Sequence, residues 1–194
     1  MITASPREHL VLAPEDGRVD GRLPAAILPL VTVLRQLADV IRAMSDEQYR
    51  RMPVGVVSSN VGGHVRHCLD HVESLLGGLD TGLVDYDRRR RGTDVETSRQ
   101  AALDAVRRQE RHLLTLPAVS WQRPLRLSVL LSGSRPPVLA ETSLGRELAF
   151  VLSHTVHHNA LIAVMALTLG VPVPDRFGYA PSTIAHLERA ACAQ

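Results

Sequence analysis

The chain has 194 residues, long enough for one domain with a substantial core. Hydrophobic residues make up 45% but aromatics only 3%, so the core is aliphatic, which favours packed helices over a β-sandwich. The formal net charge of +2 excludes the strongly basic surface of a nucleic-acid binder, and arginine supplies all 22 basic residues, so no lysine Schiff base is possible.

Residues 1–22 carry Pro6, Pro14, Gly17 and Gly21 among mixed charges and read as a loose leader without the order of a signal peptide. The expected single domain runs over residues 23–194. Ile27, Leu28, Val31, Leu34, Leu37, Ile41 and Met44 recur at helical spacing, with Pro24 in the first turn and an end near Asp46–Tyr49. Ser58–Asn60 is a cluster of helix-capping residues, and a second helix is expected from Val61 to Leu76, stopped by Gly77 and Gly78. A long polar loop follows. A third helix is expected from about Val95 to Leu116, its inner face marked by Ala102, Leu103, Val106, Leu113 and Leu114. Leu125, Leu127 and Val129 then alternate with polar residues, "SGSRPP" supplies a turn, and Val138–Ala140 returns, which predicts a small β-hairpin. The fourth long helix opens at Thr142 or Ser143 and closes at Gly170. Its apolar run approaches membrane-spanning length, but three histidines interrupt it and Arg146 and Glu147 precede it, so a buried core helix is expected and no membrane. From about residue 171 the tail is irregular, with a short helix from Ser182. The fold class that follows is all-α, a four-helix bundle with a hairpin inserted before its last helix.

Two clusters hold six of the nine histidines. "GGHVRHCLDHVESLL" contains His64, His67 and His71, spaced to share one helix face. "SHTVHHNAL" contains His154 and His158, four apart and one turn from each other, with His157 rotated away. An i,i+4 histidine pair is the local geometry of HExxH zinc helices, but Thr155 stands where their glutamate would be, so the protease base is missing. A catalytic metal site takes three protein ligands and keeps one position open. The second cluster gives two, and any of His64, His67 and His71 can supply the third; spacing does not choose among them. The competing expectation is a set of hydrogen-bonded core histidines.

The segments "VGGHVRHCLDHVESLL" and "LSHTVHHNALIAVM" resemble the DinB/YfiT-like superfamily. That resemblance implies a four-helix bundle, often a homodimer, with a three-histidine site for a divalent transition metal: one ligand from the second helix and two from an HxxxH on the last. It includes enzymes using mycothiol or bacillithiol. Carried over, HxxxH falls on His154 and His158, and the second-helix ligand on His67, with His64 and His71 as alternatives. Where such chains often continue "HRGQ", this one has "HNAL". The metal expected is zinc, nickel or iron. Asp70 and Glu73 are expected behind the ligands or as a general base, with Glu147 a weaker candidate. Arg88–Arg91 read as a solvated run balanced by Asp85, Asp87, Asp94 and Glu96, or else as a clamp on an anionic substrate. Cys68 reads as a buried small apolar residue, and Trp121 has no assignable role. With two cysteines there is no disulfide framework, and a reducing cytosol is expected. The function expected is a metal-dependent enzyme acting on a small molecule, a thiol S-transferase or a hydrolase that uses metal-activated thiolate or water, with a low-molecular-weight thiol as cosubstrate. The alternative is a non-catalytic metal-binding or structural helical protein.

Overall fold

Helix α1 (Ile27–Ala43) follows the expected apolar spacing and buries Ile27, Leu30, Val31, Leu34, Leu37 and Ile41. It belongs to a computed structural model that describes residues 18–19, 23–24, 27–53, 55, 58–88, 92–117 and 120–192. Most of the expected leader, residues 1–17 and 20–22, lies outside the described residues. Pro24 is not in the helix as expected. β1 (Arg18–Val19) and β2 (Leu23–Pro24) pair antiparallel ahead of α1, and a strand end tolerates proline's missing N–H. α1 also ends earlier than expected. Ser45 and Gln48 form a reciprocal capping box that starts a separate short helix, α2 (Asp46–Arg50).

Helix α3 (Val61–Thr81) opens on the Asn60 side chain, which accepts from Gly63 N, as the capping cluster predicts. It does not stop at Gly77 and Gly78. Glycine in a helix interior costs about 1 kcal/mol, and the packing at Gly78 accounts for its presence: a Cβ there would sit 2.5 Å from Val84 Cγ2. The helix ends instead at Gly82, in the left-handed conformation with φ 74°. The chain then forms β3 (Leu83–Asp85), where the sequence predicts only loop. β3 runs parallel to β4 (Pro124–Val129), and β5 (Val138–Ser143) completes the predicted hairpin against β4. A single 3-10 turn at Asp94–Glu96 precedes α4 (Arg99–Thr115), so the third helix starts later than expected, at the Ser98 cap.

Ser143 caps α5 (Leu144–Thr168), and Gly170 follows its end with φ 74°. Trp121 acquires a role here. A Cβ on Gly145 would lie 2.0 Å from the indole, so only glycine lets the first turn of α5 seat against that ring. α6 (Pro181–Cys192) ends the described chain and has no buried residue.

The described chain is thus mostly helical with a small three-stranded sheet. α3 packs against α4 and α5, and α1 packs against the same two helices. Their shared core is aliphatic, with Tyr49 among its largest fully buried side chains. α5 is long and apolar enough to cross a membrane by length and composition. Here it buries Leu144, Leu148, Val151, Ile162 and Met165 against its neighbours, as a core helix does.

Candidate metal centre

The α3–α5 contact carries both histidine clusters. Because His67 and His71 are one turn apart on α3, and His154 and His158 one turn apart on α5, each helix offers a short column of rings to the other. The columns meet. His67 Nε2 lies 2.9 Å from His154 Nε2, and the His71 and His154 rings stack with centroids 4.1 Å apart. The ligand atoms of His67, His71 and His154 all lie within 4.8 Å of one another. His158 is adjacent, its ring centroid 4.6 Å from those of both His67 and His154. Its Nδ1 stands 3.0 Å from Nδ1 of His64, one turn up α3. All five histidines expected in the site therefore share one cluster, with His67 and His154 each touching three of the others and His64 and His158 on its flank. His157 is exposed, as its rotation on the helix predicts.

The donor set fits a divalent transition metal. His71 Nδ1 donates to the backbone carbonyl of His67 at 2.8 Å, which fixes the tautomer and directs the Nε2 lone pair away from that carbonyl. Burial, with the neighbouring His154 and His64 adding to it, holds His158 down to about 3, and burial also lowers His64. The flank is thus neutral at pH 7, the state in which imidazole ligates. No carboxylate belongs to the close-set group, so an ion there would keep its charge.

A second tier of residues surrounds the rings. Tyr86, just after β3, stacks on His71 with centroids 5.1 Å apart and planes 15° apart. Its hydroxyl donates to Glu147 Oε2 at 2.8 Å. Burial and that carboxylate raise the phenol well above its ordinary range, so Tyr86 stays protonated. Glu147 is fully buried, and its other oxygen accepts from Thr142 at 2.6 Å and from Arg146 at 3.0 Å. Phe150, one turn before His154 on α5, lies 5.6 Å from the His154 ring. Tyr86, Arg146 and Phe150, with Leu127 of β4 and Leu130 just after it, line a cavity of about 260 Å³ whose wall includes His67, His71 and His154.

The remaining expected residues stand apart from that wall. Asp70 pairs with Arg66 at 2.5 Å, and Arg66 also pairs with Glu96. Glu73 is exposed. Cys68 is fully buried and its thiol is pushed up to about 12, the inert small residue expected. Arg88 is exposed, with its backbone N–H donating to Asp85 Oδ1 at 3.0 Å, and residues 89–91 lie outside the described residues. The residues that spacing missed are Tyr86, Phe150 and Arg146. For the last two a signal existed, since they sit one and two turns before His154 on the same helix.

Comparison with known proteins shows the family of the chain. FK506-binding protein 5 of the fungus Rhizopus delemar is 32% identical over 108 residues, which is 55% of this chain. The match spans 28% of that curated relative's length, so the likeness is to one part of a longer protein. The family model described as the DinB superfamily matches residues 30–162, a span that begins in α1 and takes in both histidine clusters. The chain belongs to the DinB superfamily.

Proposed function

We propose that the protein is a divalent-metal-dependent enzyme of the DinB-like type, built as a four-helix bundle of α1, α3, α4 and α5. It acts on a small molecule as a thiol S-transferase or a related hydrolase. The observation that carries this reading is the convergence of His67, His71 and His154 from two helices, ligand atoms within 4.8 Å, at the wall of a cavity. His158 is the alternative third ligand, as the HxxxH pattern implies. A divalent ion held by neutral imidazoles supplies acidification of a bound thiol or water and polarisation of a carbonyl.

The protein's own groups do the rest. The His67 carbonyl orients His71. Glu147 and Thr142 hold the Tyr86 ring flat against that imidazole. Phe150, Tyr86 and Leu127 give the cavity apolar walls beside the histidines. In the same reading the thiol is a cosubstrate rather than a side chain, because Cys68 is sealed in the core and the exposed Cys192, at the end of α6, is not among the residues lining the cavity. The protein works in the cytosol. The exposed Val164 and Leu167 of α5 support a homodimer.

Metal analysis of purified protein after reconstitution tests the first half. Wild type is expected to hold a stoichiometric transition metal and His154→Ala to lose it; an empty wild type rejects the reading. Consumption of low-molecular-weight thiols in the presence of electrophiles tests the second half. A metal-loaded protein that consumes none is better described as a metal-binding scaffold.

A further inference from the structure

The cavity beside the histidines has one cation among its lining residues, Arg146. Its guanidinium carbon lies 5.1 Å from the centroid of Phe150, and Phe150 in turn is 5.6 Å from His154 and 6.0 Å from His71. One aromatic ring therefore separates the charge from the histidines. Arg146 is anchored rather than free to swing, because Nη1 donates to the fully buried Glu147 at 3.0 Å. That leaves the Nε–Nη2 edge, for which no acceptor is recorded among the described residues, and the side chain is 57% exposed. This edge is a planar fork that matches a carboxylate with two parallel hydrogen bonds. The acid that also lines the cavity, Asp87, is turned to the sheet, where Oδ2 accepts from Leu130 N at 2.7 Å. The imidazole donor set adds no negative charge to the other end.

We infer that the substrate or cosubstrate is an organic anion. Its carboxylate is taken by the Nε–Nη2 edge of Arg146, its apolar spacer lies along Phe150 and Tyr86, and its reacting group reaches the histidines. This rests on the metal-centre reading above and adds a recognition subsite to it. Arg146 is a binding residue here, and its charge selects carboxylates over alcohols or amines of the same length.

The test uses cobalt(II)-loaded protein and thiol probes read from the cobalt absorption bands: mercaptopropionate and mercaptohexanoate against mercaptohexanol and cysteamine. One of the two acids is expected to bind about tenfold or more tightly than the alcohol, the scale of a charged hydrogen-bonded pair, and cysteamine most weakly. Arg146→Met is expected to erase the preference while keeping the cobalt stoichiometry, and Arg146→Lys to keep part of it. If Arg146→Met fails to fold, the Lys variant and the comparison among probes on wild type decide. Equal binding of acid and alcohol, or a preference that survives in Arg146→Met, overturns the proposal and leaves the metal centre standing. Failure of wild type to bind cobalt removes both.

Discussion

His71 Nδ1 is committed to the His67 carbonyl and its ring is clasped between Tyr86 and His154, so its place in the cluster is set by three neighbours. His71→Ala is expected to weaken cobalt affinity by more than the roughly tenfold to hundredfold loss typical of removing an outer partner. His158→Ala is expected to fall below it; titration of both variants followed by absorption ranks them. Glu147 organises Tyr86, Thr142 and Arg146 at once from a fully buried position. Glu147→Ala leaves the buried Tyr86 hydroxyl without its acceptor and is expected to cost about 1–3 kcal/mol, measurable by urea unfolding. The histidines were legible because helical spacing alone puts i,i+4 rings on one face. Tyr86 was not, because it reaches His71 from the end of a strand whose place depends on long-range pairing. Among the three second-helix histidines, spacing had no means of choosing, since i, i+3 and i+7 share one face; the fold sets both His67 and His71 beside His154 and leaves His64 against His158.

At the level of elements, the helices followed from apolar periodicity and caps, while their ends moved wherever a tertiary contact outweighed a local signal. Gly77 and Gly78 are strong stop residues, yet α3 continues because Val84 packs against Gly78. Parallel pairing of β3 with β4 was invisible for the same reason, since its partner lies across the whole of α4. Gly145 is the corresponding small-residue contact on α5. Gly145→Ala drives a methyl into Trp121 and is expected to destabilise by about 1–3 kcal/mol, read as a lower urea midpoint. Tyr49 joins α2 to the 3-10 turn by donating to Val95 O at 2.7 Å, and burial, with Glu96, raises its pKa above the ordinary 10.0. A raised folded value means that its contribution is intact below pH 10 and is lost as the unfolded chain begins to ionise above it. Stability is therefore expected to fall as pH rises past about 10, with a shallower fall in Tyr49→Phe; urea midpoints measured across that range check the sign.

Across the whole molecule, α3 and α5 are brought together by the aliphatic core they share with α1 and α4, and the histidine cluster sits inside that contact. An ion that binds the folded chain alone stabilises it, by about 2.7 kcal/mol at a hundredfold excess over its Kd. That corresponds to a rise in Tm of roughly 5–10 °C for a chain of this size, which a chelator should reverse and His154→Ala should abolish. The central claim, that imidazoles from α3 and α5 form one metal-binding centre, is tested most directly by anomalous diffraction from crystals grown with zinc. The account predicts one strong peak bonded to Nε2 atoms of His67, His71 and His154 at about 2.0–2.1 Å. A map with no peak among those rings, or with zinc held only at surface residues, would contradict it.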